Sequence, residues 1–498
     1  MMNRKEHTMY IPHINKISMC IIFLFSIITA TVFAQAPNTL WLQTIGDASS
    51  NFGESVQPTR DGGFIVLGTT KTASGSSQFY LARTDGSGNT IWTQTYGGSG
   101  DDFAASVQQN WDGGFILTGS TRSGGNGESD LWLIRTDSLG NQIWERKFGT
   151  AGRDGGNQVI QTNDSGFAVI GSTEPSGNSD YNAWLVRVDS SGNLLWTRTF
   201  GGSDTTFGLS VQQTDDGGFI FAGTTRFFGN TDIWLVRTDD EGTMLWQNIM
   251  GSAESEFPGE VQQTSDGGFI VVGSTNDTPD LADDIWLIRI DASGSTIWSR
   301  FFGSAGSDHG ESVQQTPDGG FIITGRTPSP SIQHDIDLWL IKTDPNGGLI
   351  WSNIYGGAEA DYGRSVRNTG DGGYIVCGST HSFGQGEYDF WLIRLDSENP
   401  TGISDGKPGV ATDFRLEQNY PNPFNPATTI EFALPKKSKV RITVYNMNGE
   451  PVKTLINRNL PAGYHQALFD GSGLASGIYL YRIQAGEFSQ VRKMMLIK

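Results

Sequence analysis

A block of 50 to 53 residues recurs seven times along this chain of 498 residues, and few folds accommodate such a pattern. Trp41, Trp92, Trp144, Trp196, Trp246, Trp298 and Trp351 mark one position of the block; Tyr80, Trp132, Trp184, Trp234, Trp286, Trp339 and Trp391 mark another. A third mark is an Asp-Gly-Gly turn beginning at Asp61, Asp112, Asp216, Asp266, Asp318 and Asp371, with Asp164-Ser165-Gly166 in the third copy. Of the 14 tryptophans only Trp111 stands outside these series, so the repeat accounts for the aromatic content without a cofactor-stacking site.

Each copy resolves into four short extended runs. In the second copy these are 106–110, 115–121, 131–136 and 142–148. Asp112-Gly113 joins the first two, and such a pair suits the positive φ angles of a type I′ hairpin. Asp137-Ser138-Leu139-Gly140 joins the last two, with an aspartate to close an Asx turn and a glycine for the left-handed position. Leu131 to Ile134 is unbroken apolar sequence, as in a strand covered on both faces. A four-stranded antiparallel unit that must bury both faces is a propeller blade, covered by its neighbours. The expected fold is therefore all-β: a seven-bladed β-propeller over residues 35–396. The repeat region opens at Trp41-Leu42-Gln43-Thr44-Ile45, which is fourth-strand sequence, and ends at 390–396, which is third-strand sequence. The N-terminal strand should thus complete the last blade and close the ring, removing open edges. An open β-solenoid is the alternative.

Composition narrows the function. Glycine is 66 of 498 residues and charged residues only 17%, as in a turn-rich β protein. A net charge of -19 repels phosphate backbones, which excludes nucleic acid as a partner. The two cysteines, Cys20 and Cys377, cannot staple the repeat, and Cys377 replaces an apolar strand residue.

Alternation places the Asp-Gly-Gly and Asp-x-x-Gly turns on one face and the other two loop sets on the opposite, acidic face. There, ten residues before each turn aspartate, stand Asn51, Asp102, Asp154, Thr206, Glu256, Asp308 and Asp361. Two residues before the third-strand aromatic stand Gln78, Asp130, Asn182, Asp232, Asp284, Asp337 and Asp389. The ten acids among them, Asp102, Asp154, Glu256, Asp308, Asp361, Asp130, Asp232, Asp284, Asp337 and Asp389, could hold Ca2+, a cationic group or glycan hydroxyls. Such residues also close turns by bonding their own backbone, and recurrence in every copy suits that role. Gln108, Gln212, Gln262 and Gln314 recur on the innermost strand, with Ile160 and Arg367 as exceptions, and read as a structural hydrogen-bonding ring. Departures from the repeat are few: the acidic loop 276–284, a longer loop 328–337 with His334, Phe227-Phe228, and Arg364 with Arg367. No histidine has a second ligand at zinc spacing, and no catalytic residue or cofactor is assigned. For a glycosidase the nominees would be Glu256 with Glu260, or Asp308 with Glu311.

The Asp137, Gly140, Trp144 element resembles the tryptophan-docking motif of quinoprotein dehydrogenase propellers, with shorter spacing; the resemblance implies blade packing and no cofactor. The whole repeat resembles secreted bacterial propellers, some labelled as hydrolases such as endoglucanases.

The two ends read as addresses. Residues 1–34 place Arg4, Lys5 and Lys16 before the apolar run 21–28 and end at Thr31-Val32-Phe33-Ala34, a signal peptide cut after Ala34. The run is shorter than a bilayer span, so no transmembrane segment is expected. Residues 397–412 have linker composition. From 413 to 498 there are 11 basic and 6 acidic residues, against 20 and 46 over 35–412. Alternating runs at 428–434, 439–446 and 478–484 suggest a small Ig-like β-sandwich. Asn419-Tyr420-Pro421-Asn422-Pro423-Phe424-Asn425-Pro426, Tyr445-Asn446, Asp470-Gly471, Ser476-Gly477-Ile478-Tyr479 and Lys493 to Lys498 resemble the type A C-terminal sorting domain of the type IX secretion system. Phe469 departs from the tryptophan common there. The resemblance implies Sec export to the periplasm, recognition by the secretion machinery and delivery to the outer-membrane surface or beyond. The expected function is a secreted or surface-displayed propeller that binds a glycan or surface protein without catalysis. The alternative is a polysaccharide-acting hydrolase using carboxylates at the channel mouth.

Overall fold

A computed structural model describes residues 36–398, apart from 176–179, 203, 228, 279–281, 305 and 330–334. It also describes 414–496, apart from 417–418, 420–426, 448, 461–462, 472 and 487. The expected signal peptide, nearly all of the expected linker, and His334 and Phe228 of the variant loops lie outside these residues. The described residues are all β, with no helix.

Residues 39–395 form seven four-stranded antiparallel sheets. After the leading strand β1 (Thr39–Ile45) come β2 (Asn51–Pro58), β3 (Phe64–Lys71), β4 (Ser77–Thr84) and β5 (Thr90–Tyr96), which pair in chain order as the first sheet. Five more sheets repeat that order. The last, Asp361–Asn368, Tyr374–Thr380 and Asp389–Leu395, takes β1 as its fourth strand, with Leu42 opposite Ile393 and Thr44 opposite Trp391. These repeated four-stranded sheets are what a propeller is built from.

The second strand of each sheet is apolar on both faces, and its opening Phe64, Phe115, Phe167, Phe219, Phe269, Phe321 or Tyr374 is at most 3% exposed. Burying one such ring stabilises by about 2–3 kcal/mol. Consecutive sheets share apolar clusters, and one of these joins Val56, Phe64 and Val66 to Ile375, Cys377 and Phe390. Cys377 is a buried free thiol there, its pKa pushed up first by burial and then by the charge of Glu54. The fourth-strand tryptophans stack edge-on against the next sheet: Trp92 lies 6.0 Å from Phe115, as Trp41 lies 5.8 Å from Phe64. A methyl added at Gly140 would come within 2.8 Å of Trp92, and one at Gly88 within 2.9 Å of Trp41. The Asp-x-x-Gly turn is thus glycine because the neighbouring sheet's indole lies against it.

The first hairpin differs from the expected type I′ turn. Thr59 accepts from the Gly62 N–H at 2.9 Å and donates to Gly63 at 2.8 Å, and only Gly62 has positive φ, at 86°. That is a type I turn followed by a left-handed residue, the usual three-residue hairpin. Aspartate is there for its side chain: Asp61 takes the Thr59 hydroxyl at 2.6 Å and the buried Arg83 of β4. Arg135, Arg187, Arg237, Arg289 and Arg394 repeat this clasp, with Lys342 in the sixth sheet 2.9 Å from Asp318.

Residues 414–496 form two further sheets. Arg415–Leu416, Ala427–Leu434 and Gly463–Asp470 make one; Pro451–Leu460, Ser438–Tyr445, Gly477–Ala485 and Phe488–Leu496 make the other. They share a core that includes Ile430, Phe432, Val440, Ile442, Tyr481 and Met494, a sandwich arrangement.

Candidate functional site

The ten acids lie at the junctions between consecutive sheets, where an innermost strand and the preceding third strand begin side by side. A methyl at Gly149 would meet Asp130 Oδ1 at 2.2 Å and Asp154 Oδ2 at 2.8 Å; one at Gly251 would meet Asp232 and Glu256 at 2.2 and 2.5 Å. Nine of the ten are buried and Asp284 is half-buried. One oxygen of each typically closes a loop by accepting from the residue four before, while Asp154 Oδ1, Asp308 Oδ1, Asp361 Oδ1 and Asp389 Oδ1 are buried without a hydrogen-bond partner among the described residues. Asp154 takes the Thr150 N–H at 2.6 Å, Asp308 that of Ser304 at 2.7 Å, and Asp361 that of Gly357 at 2.8 Å. Asp102 takes Gly98 at 2.9 Å, Asp389 takes Gln385 at 2.6 Å, and Glu256 takes the Ser252 hydroxyl at 2.9 Å. Burial pushes Glu256, Asp308 and Asp337 above the usual carboxylate range. Among the described residues no group of three or more His, Cys, Asp or Glu could hold a metal ion.

The innermost strands bring together a cluster that sequence reasoning missed. Side chains from one position accept from the next sheet's backbone: Ser55 from Val107 at 3.3 Å, Ser106 from Val159 at 3.4 Å, and Gln158 from Val211 at 2.5 Å. The series continues through Ser210, Glu260 and Ser312 and ends with Ser365, which accepts from Val56 at 3.5 Å. The glutamines link sheets in the same way, Gln108 to Gln161 at 2.5 Å and Gln314 to Asn368 at 2.5 Å. Where these positions depart from the repeat, the departures pair: Glu260 stands in a serine's place and Arg367 in a glutamine's, and they meet at 2.8 and 3.0 Å.

One residue earlier on these strands, Glu54, Glu311 and Arg364 line the same cavity, whose volume is about 110 Å³. Arg364 lies 3.2 Å from Glu311 and 3.8 Å from Glu54. Burial disfavours the guanidinium's charge, but Glu311 and Glu54 outweigh it and raise its pKa. Glu54 reaches channel solvent, its side chain 32% exposed, yet protein surrounds it. Desolvation pushes its pKa up to about 7, Arg364 opposes this, and Glu311 adds to it. The four glycosidase nominees have partners elsewhere: Glu256 with Ser252, Glu260 with Arg367, Asp308 with Ser304 and Glu311 with Arg364. The sequence signals for the cluster were Arg364 and Arg367 breaking the repeat and Glu260 and Glu311 as acid nominees, without any sign that the four meet.

At the junction end of the innermost strands, the residue after each junction position carries a ring in six sheets: Phe52, Phe103, Phe207, Phe257, His309 and Tyr362. Phe103 and Phe257 are 43% and 44% exposed. Tyr388 stacks beside Phe52 at 4.9 Å and Tyr181 beside Phe207 at 5.0 Å. Of the acidic loop 276–284, Asp283 sits 3.4 Å from His309.

In the C-terminal sandwich, Asn419 is buried, its backbone N–H donating to the Tyr481 hydroxyl at 2.7 Å and its amide to Thr428 at 2.9 Å. Tyr479 donates to the Ala475 carbonyl at 2.8 Å, and Gly477 and Lys493 lie on the adjacent strands Gly477–Ala485 and Phe488–Leu496. Pro421, Asn422, Pro423, Phe424, Asn425, Pro426 and Lys498 lie outside the described residues.

Residues 418–498 match the family model of the secretion system C-terminal sorting domain. No curated protein matches the chain. Among solved structures, PorZ, described as an essential bacterial surface component of the type IX secretion system of Porphyromonas gingivalis, is similar at 12% identity and a TM-score of 0.42. That match covers 87% of this chain and 58% of PorZ. The Pan2 WD40 domain of Neurospora crassa is similar at 11% identity and a TM-score of 0.44, covering 74% of this chain and 97% of that one. A puromycin hydrolase is similar at 13% identity and a TM-score of 0.47, covering 80% and 62%. Likenesses of this size carry no argument about ligand or activity. The sorting domain itself implies the type IX machinery as a partner and export to the cell surface or extracellular space. Among the described residues no helix is long and apolar enough to cross a membrane.

Proposed function

We propose that residues 35–396 are the cargo of this export: a closed ring of seven blades, followed by a linker to the sorting domain from 413, that binds an extracellular glycan or surface protein without chemistry. The ring reading is supported by β1 pairing with the last sheet while Trp41 packs on Gly88 of the first, as Trp92 does on Gly140. The Sec signal peptide at 1–34 is part of the same proposal.

The observation that carries a binding role is the set of rings around the channel mouth, of which Phe103 and Phe257 are exposed, above a channel whose acids are already engaged by arginine. A ligand approaching that face meets the rings before the ten buried acids. At about 110 Å³ the channel cavity is smaller than sites that enclose organic ligands. A second reading has one observation in its favour. Glu54, its pKa pushed up to about 7, shares Arg364 with Glu311, the kind of unequal acid pair that polysaccharide hydrolases use. Binding of the full chain to a glycan array and to extracted surface proteins, with and without calcium, together with turnover assays on the same glycans, separates the readings. Saturable binding without turnover is expected. Turnover abolished by Glu54→Gln or Glu311→Gln would overturn it, and no saturable binding would leave a passive surface component.

A further inference from the structure

Six sheets carry a ring just after the junction position, and the third carries Gly155 instead. The missing ring leaves a cavity of about 310 Å³ between the sheets that begin at Asp102 and Asp154. Phe103 and Tyr181 bound it, with Ser120, Ser172, Asn157 and Arg153 also in its lining. We propose that this cavity is a binding site for the end of a neutral oligosaccharide; the proposal rests on the binding role argued above and names its ligand class.

Two features beyond the cavity point to a sugar. The first is aromatic. Phe103 is exposed, and Tyr181 is steadied by its contact with Phe207 at 5.0 Å, so the lining presents ring surface to which the C–H face of a pyranose packs. The second is the state of the hydroxyls. In three other sheets the residue equivalent to Ser120 accepts from the next sheet's backbone: Thr69 from Ala104 at 3.1 Å, Ser274 from Gly310 at 3.2 Å, and Ser379 from Gly53 at 3.0 Å. Among the described residues Ser120 and Ser172 make no such bond, and both line the cavity. Hydroxyls and an amide beside ring surface are what a polyhydroxylated ligand uses. The cavity's cation is already matched: Arg153 bonds Glu128 at 2.7 Å. A neutral sugar therefore fits better than a uronate or a phosphate. The volume suits roughly one or two sugar units.

Gly155→Phe fills the cavity with the ring that other sheets carry at this position. A Cβ at Gly155 would lie 3.3 Å from Ser120 Cβ, and its φ lies outside the left-handed region, so the variant should fold. Phe103→Ala removes one ring, and Trp111→Ala, an exposed ring beside the Asp112 turn and outside the cavity lining, is the control. Titration calorimetry of the full chain with cellohexaose, chitohexaose, mannohexaose and xylohexaose, alongside thermal melts, is the test. Wild type should bind at least one sugar saturably; Gly155→Phe and Phe103→Ala should each weaken it roughly tenfold or more, with Trp111→Ala unchanged. Sugar binding that survives both cavity variants would overturn this site while leaving the broader binding role in place. No binding of any of the four sugars would also overturn it, and saturable binding of a surface protein in the earlier assay would then show that the broader role still holds.

Discussion

Among individual residues, the paired departures are the sharpest features. Glu260 and Arg367 each break the repeat, stand 107 positions apart and neutralise one another beside the channel. Arg367→Gln or Glu260→Ser alone leaves a charge in the channel wall without its partner, and each should cost about 1–3 kcal/mol in denaturant unfolding. The double change restores the repeat on both sides and should cost far less than the two singles together, a coupling that a double-mutant cycle reads directly. Glu54 gives a pH signature. Its pKa is raised from 4.5 to about 7 on folding, so the folded state binds more protons than the unfolded state across that window. Its contribution to stability therefore falls as pH rises through it. Glu54→Gln should match wild type in stability near pH 4.5 and exceed it at pH 8 by on the order of 1–2 kcal/mol, allowing for channel water. An unchanged pH profile would contradict this. Glu260, Glu311, Arg364 and Arg367 each stood out in the sequence, but not as one cluster, because that depends on which side chains of seven separated strands meet in one cavity. The ten junction acids were legible both as turn closers and as a ligand ring; their burial and loop hydrogen bonds support the former.

At the scale of elements, the strands away from the channel were legible because both flanking turns announce themselves: Phe115–Thr121 and Gln142–Phe148 begin and end where the sequence places them. The innermost strand was not. It runs Asp102–Gln109 where the sequence suggested 106–110, because the register shifts between Ala104 and Ser106 and a bulge breaks the alternation that marks a strand. The ring positions at the channel mouth sit on the missed portion, which is why the aromatic set went unread. The first-hairpin turn was misassigned for a related reason: Asp-Gly signals positive φ at both residues, whereas the clasp from the third-strand arginine holds aspartate in an ordinary conformation. In the third copy Ser165 takes the left-handed position, with φ 69°. Ser165→Gly should stabilise the protein by about 1 kcal/mol, readable as a higher melting temperature. No change would mean that this turn relaxes more freely than its six counterparts.

At the scale of the whole molecule, the sorting domain fixes the destination and the repeat supplies what is delivered. The first was plain in the sequence, since its motif is local; the second rests on contacts between the two ends of a stretch of more than 350 residues. In the proposed ring β1 alone joins the two ends, so this strand is the place where closure succeeds or fails. Hydrogen–deuterium exchange of the full chain, read on the peptides covering Thr39–Ile45 and Thr90–Tyr96, tests this most directly. A closed ring predicts that the two outer strands are protected alike. Exchange of Thr39–Ile45 at the rate of an unfolded chain, with Thr90–Tyr96 still protected, would contradict it.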